Sequence, residues 1–147
     1  MSHRTIRLTA LLLILATGAH GAEKPVLSLT MRYTDARNRM IEAGFRPFRV
    51  IPQGSDLFKR NFASREDIGR HFPEAAKCEL KGKSRCYFLF ARGPNEVVAI
   101  MAMGASAESL IVWKAQGVTA QEADELYRTG ASPMPMSTPP NYGGFRN

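Results

Sequence analysis

Acidic residues are missing from the first 22 positions of the chain; the first is Glu23. Cysteine occurs twice, tryptophan once and histidine three times in 147 residues. Two cysteines exclude a multi-disulfide scaffold, and the scarcity of both residue types argues against a Cys/His zinc module. The longest apolar run, in residues 8–16, is about half the roughly 20 residues that a spanning helix needs. The glycines are dispersed, with no phosphate-cradling loop, and no segment repeats. Of the residues present, 44% are hydrophobic and 22% charged, which excludes a wholly disordered or collagen-like chain, and the length suits one domain.

The acid-free start reads as an address. Arg4 and Arg7 precede the apolar run, and small residues follow it up to Ala19-His20-Gly21. This is the pattern of a cleavable export signal over residues 1–21, with a mature chain that starts at Ala22. The mature chain carries 18 basic and 13 acidic residues. Residues 24–92 hold 15 Lys and Arg against 7 Asp and Glu, whereas residues 93–147 hold 3 against 5, so the positive charge sits in the first half. Such a half can steer the protein toward acidic partners or simply form a solvated surface.

Within the mature chain, Ala36, Met40 and Ala43 recur at helical spacing over 33–43, with Thr34 or Asp35 as the cap and Gly44 as the stop before an apolar Phe45. Residues 48–51 read as a short strand and 52–55 as a turn. Residues 56–72 read as a loop-rich connection with at most one short helix. Three runs, 86–91, 97–103 and 110–115, predict an antiparallel meander whose middle strand is apolar throughout and therefore central. Thr119-Ala-Gln-Glu122 is a capping-box pattern that opens a helix with Ala123, Leu126 and Tyr127 on one side. Residues 131–147 are rich in Pro, Ser and Gly and are expected to be a disordered tail, which leaves 22–130 as the domain.

Cys78 and Cys86, exported to an oxidising compartment, are expected to pair and close a polar loop over 79–85, with Gly82 available for the reversal. A redox role would call for a C-x-x-C spacing that is absent. His71 is the lone histidine of the mature chain and has no second ligand at metal-site spacing, so neither a metal nor a cofactor is expected. Glu74 and Glu79 flank the first cysteine, and nothing in the sequence places them across a cleft. Basic and aromatic residues interleave at Phe45-Arg46 and Phe58-Lys59-Arg60, but an exported protein seldom meets nucleic acid, so none is expected as a partner.

Met40-Ile-Glu-Ala-Gly-Phe-Arg-Pro47, Phe72-Pro-Glu74 and the pair Cys78/Cys86 before Tyr87-Phe-Leu-Phe90 together resemble a loose group of small exported bacterial proteins of unknown function. Group members commonly carry tryptophan where this chain has Phe45. The resemblance implies an exported, disulfide-bonded fold and brings no activity with it.

The expected fold is α+β: an antiparallel sheet of three or four strands against one main helix, with one disulfide. The expected function is a non-enzymatic periplasmic binding module for another envelope component, a protein first, including an inhibitor or immunity type. Alternatives are a small hydrolase of an envelope polymer using Glu74, Glu79 or His71, and an electrostatic binder of an anionic polymer. Candidate partner-binding residues are Arg46, Arg49, Lys59 and Arg60. Strand alternation sends Arg49 outward if Phe48 is buried. No transmembrane segment is expected after processing.

Overall fold

The computed structural model describes residues 23–81 and 83–130. The expected export signal, the reversal at Gly82 and the expected tail lie outside them.

Helix α1 (Tyr33–Glu42) buries Tyr33, Ala36 and Met40 at helical spacing. Its N-cap is Arg32, two residues before the expected Thr34 and three before Asp35, and no side chain caps it. The far end follows the expected glycine stop. Gly44 takes φ +87°, its N–H donates to the Ile41 carbonyl and the Phe45 N–H to the Met40 carbonyl. That pair of reversed bonds satisfies the last carbonyls of the helix and turns Phe45 inward, where it is fully buried. The expected strand over 48–51 does not form; the pairing nearby is β1 (Arg46–Pro47), a two-residue strand that lies just before it. Residues 56–72 hold two helices rather than a loop: α2 (Asp56–Phe62), capped by the Ser55 side chain on the Phe58 N–H, and α3 (Glu66–His71).

The cysteine loop is a hairpin. Strand β2 (Ala75–Lys81) pairs antiparallel with β3 (Lys83–Ala91) and sets Cys78 opposite Cys86, which form a disulfide with Cα atoms 4.1 Å apart. Strand β3 is the spine. On one side it pairs with β2 and, further along, with β1; on the other it pairs with β4 (Val97–Met103), which pairs in turn with β5 (Ile111–Val118). At the junction of the two short strands the Leu89 N–H donates to the Glu74 carbonyl, and the Leu89 carbonyl accepts from the Phe48 N–H. The meander is therefore present, and the apolar β4 lies centrally with six of its seven residues buried.

Tyr33 stacks on Phe88 with ring centroids 3.7 Å apart, and Phe72 meets both rings edge-on. Helix α4 (Ala120–Thr129) carries the complete Thr119–Glu122 capping box and buries Ala123, Leu126 and Tyr127. Among the described residues the fold is thus an α+β antiparallel sheet with four helices and the Cys78–Cys86 disulfide. Among the described residues no helix is long and apolar enough to cross a membrane.

Candidate functional site

The carboxylates considered for acid–base work do not form a site. Glu74 is fully buried. Its Oε1 accepts from the Tyr33 hydroxyl at 2.8 Å and from Arg37 Nε at 2.7 Å, while Oε2 is buried without a hydrogen-bond partner. Burial first, then the negative charge and hydrogen bond of Glu74, raise the Tyr33 hydroxyl well above its ordinary pKa. A carboxylate sealed in this way is a structural counter-ion, closed to a polymer substrate. Glu79 pairs with Lys77 at 2.9 Å on the hairpin. His71 is exposed at the end of α3, edge-on to Phe72. Among the described residues no group of His, Cys, Asp and Glu is arranged to hold a metal ion.

The four basic candidates are divided. Arg49 and Arg60 line one cavity together with Arg128 of α4, while Arg46 and Lys59 do not line it. Arg46 folds back on the Ile41 and Phe45 carbonyls. Lys59 projects from α2, 4.0 Å from Asp56. Arg49 is exposed and Phe48 half-buried, the facing expected, although neither belongs to a strand. Arg49 Nη2 lies 2.9 Å from Asp124 Oδ1, an ion pair by distance whose angle falls outside hydrogen-bond geometry.

A larger cavity lies elsewhere, at the start of β5. It measures about 650 Å³. Its walls are Met103, Gly104 and Ala105 at the end of β4, Ser109, Ile111 and Trp113 at the start of β5, Ser84 of β3, and Thr30. None of these residues carries a charge, in a chain where 22% do. Trp113, the single tryptophan, is 49% exposed. Sequence reasoning placed it in a strand and gave it no further role.

Three backbone irregularities converge here. The β4–β5 register steps from Ala102 opposite Val112 to Met101 opposite Lys114, so Trp113 is the extra residue of a bulge. A bulge turns its residue out of strict alternation and often re-aims a side chain at a ligand. Thr30 is the one non-glycine residue with positive φ (70°) among those described. A β-branched side chain is strained in that region, and the conformation is held by hydrogen bonds from the Thr30 N–H to the Val112 carbonyl and from the Val112 N–H to the Met31 carbonyl. At Gly104 a Cβ would lie 2.6 Å from the Ser109 carbonyl oxygen, so only glycine lets the two walls approach. The Gly104 carbonyl accepts from the buried Arg65, whose guanidinium also grips Asp67 through both carboxylate oxygens. The Arg65 hydrogen bond is the main reason the Asp67 carboxyl is held below its ordinary pKa.

The cavity is therefore a fixed, uncharged, mostly apolar recess with hydroxyls of Thr30, Ser84 and Ser109 on its walls and an indole on one side. It suits an apolar or aromatic group that makes few polar contacts. Segment 30–33 covers the first residues of the β5 edge, through the Arg32–Ile111 bridge. Beyond Val112 no strand pairs with that edge among the described residues. A scan against protein-family models gave no match, and searches of curated proteins and of solved structures gave none either.

Proposed function

We propose that the chain is a non-enzymatic binding module, exported to the periplasm, that grips an envelope protein by taking an apolar side chain of that partner beside Trp113. The observation that carries this reading is the half-exposed lone tryptophan, set at a bulge on the wall of a cavity of about 650 Å³. Water contact with so much indole surface is unfavourable, and tryptophans in desolvated pockets dominate many protein interfaces. The strain at Thr30 supports the same reading, because strained residues persist where surrounding structure and a binding role hold them. The disulfide is compatible with an oxidising compartment. The sealed state of Glu74 argues against the hydrolase alternative.

The test uses the purified protein as bait in an envelope extract, with Trp113→Ala as the comparison. The expected result is a protein captured by wild type and lost with the variant, at unchanged melting temperature. Because the chain has one tryptophan, a 5-fluorotryptophan label gives a single fluorine resonance that reports this cavity alone. Titration with the captured protein should shift it. Equal capture by the variant, or a resonance unmoved at saturation, overturns the reading.

A further inference from the structure

A second cavity, of about 320 Å³, lies between residues 49–52, helix α2 and the end of helix α4. Its apolar surface comes from Val50, Ile51 and Leu57, and its charge from the guanidinium groups of Arg49, Arg60 and Arg128. No carboxylate lines it. Two of the three arginines already have acidic partners outside the lining, Arg49 with Asp124 and Arg128 with Glu125. Arg60 differs. Its Nη2 donates to the Arg128 carbonyl at 2.7 Å and more weakly to the Tyr127 carbonyl, and its Nε to the Asn61 side-chain oxygen, all of them neutral acceptors. Holding the carbonyls at the end of a helix fixes this guanidinium in place, and among the described residues no acid forms an ion pair with it. Val50, 63% exposed, presents apolar surface to water beside it.

The Arg60 charge over an apolar recess defines a ligand class. We propose that this cavity binds an amphiphilic monoanion, a medium-length apolar body that ends in one carboxylate. The carboxylate meets Arg60, flanked by Arg49 and Arg128, and the apolar body covers Val50, Ile51 and Leu57. A bare anion would leave the apolar wall wet, and an uncharged apolar molecule would bring no partner to Arg60. The volume is at the small end of ligand pockets, roughly 300–1,000 Å³, which favours a short chain or a single terminal residue over a long acyl chain. A free fatty acid and a peptide C terminus ending in an apolar residue share this chemistry.

The test is calorimetric titration of the purified protein with decanoate, below its micellar concentration. Decanol supplies the body without the charge, acetate the charge without the body, and an N-acetylated peptide ending in leucine the alternative source. A charge-assisted hydrogen bond to carboxylate corresponds to a factor of about ten or more in affinity. Decanoate or the peptide should therefore bind at least about tenfold tighter than decanol and acetate, and whichever of the two is tighter names the source. Val50→Asp, at an exposed position that the fold does not depend on, should weaken binding about tenfold or more by setting a like charge beside the carboxylate. Arg60→Met, checked for an intact melting transition, should bring decanoate down to the affinity of decanol. Trp113→Ala should bind decanoate as wild type does. Equal binding of decanoate and decanol, full affinity in Val50→Asp, or loss in Trp113→Ala each overturns the proposal, the last by moving the ligand to the other cavity.

Discussion

At the scale of single residues, the arrangement around Glu74 separates two ways of breaking a buried ion pair. The Glu74 side chain is wholly shielded, whereas that of Arg37 is 29% exposed. Removing the cation strands a buried carboxylate; removing the anion leaves a guanidinium that water can reach. Arg37→Met should therefore destabilise by about 3–5 kcal/mol, and Glu74→Gln by distinctly less, although both delete the same ion pair. Tyr33→Phe keeps the stack on Phe88 and loses only the hydroxyl donor, a cost of about 1–3 kcal/mol. Urea midpoints at neutral pH rank the three variants. Equal losses for Arg37→Met and Glu74→Gln would show that the carboxylate is not held as a charge. Elsewhere, hydrogen bonds from Arg65 and Arg92 are the main cause of the lowered pKa values of Asp67 and Glu96, whose ordinary values are 3.8 and 4.5. A depressed folded value means that each pair stabilises fully above the ordinary range and loses its contribution as pH falls through the folded value. Both acids are partly exposed, so solvent screening keeps each contribution small. The melting temperature should be level from neutrality to about pH 5 and should fall below about pH 4. The gap between wild type and Arg92→Met should narrow over the same acid range.

At the scale of elements, the hairpin disulfide joins residues that are already neighbours in the β2–β3 register. Its stabilisation comes from the closed short loop, about 2–3 kcal/mol by loop entropy. Replacing both cysteines with alanine should lower stability by about that amount while leaving the sheet and the Trp113 cavity formed, as read by urea unfolding and by an unchanged indole emission maximum. Two labelled thiols in the denatured, unreduced protein would refute the pairing. The elements that were legible in the sequence are those whose signal is local. The Gly44 stop of α1, the Thr119–Glu122 box and the apolar run of β4 each announce themselves within a few residues. Strand β2 did not. Ala76, Cys78 and Leu80 alternate with Lys77, Glu79 and Lys81, the period of a half-buried strand, but the signal is masked by small and charged residues of low β propensity, and the polar 79–85 stretch reads first as a loop between the cysteines. Helices α2 and α3 were hidden by shortness, since seven and six residues give barely two turns of periodicity. Phe48, Val50 and Ile51 favour β structure locally and so suggest a strand over 48–51, whereas the space beside β3 is taken by β2 and its lead-in at Glu74. Neither cavity was legible as such. Charge alone singles out Arg49 and Arg60, but Arg128 reaches them only through the packing of α4. Trp113 sits at a register step between β4 and β5, a property of pairing that no single strand encodes.

At the scale of the whole molecule, the basic first half and the uncharged Trp113 cavity assign different roles to charge and to apolar surface. Long-range attraction accelerates encounter and is screened within about 8–10 Å at physiological salt, whereas an apolar anchor resists dissociation and is nearly insensitive to salt. If the partner is acidic, its association rate should fall steeply with ionic strength while its dissociation rate stays level. Lys59 is the cleanest probe of the steering charge. It is exposed, and its one acidic neighbour, Asp56, stands 4.0 Å away. Arg46 is exposed too and holds only neutral carbonyls. The double variant Arg46→Glu with Lys59→Glu changes the net charge by four units without touching either cavity. Rim charges contribute about 0.2–1 kcal/mol each, so association at low salt should slow severalfold, with little change in dissociation or melting temperature. Trp113→Ala should do the reverse, leaving the association rate within about twofold and raising the dissociation rate by a factor of ten or more, the behaviour of an anchor in a desolvated pocket. Surface plasmon resonance at two salt concentrations separates the two rates. An effect of Trp113→Ala confined to association, or a charge effect confined to dissociation, would mean that the indole is not the anchor and that the basic half makes the lasting contact.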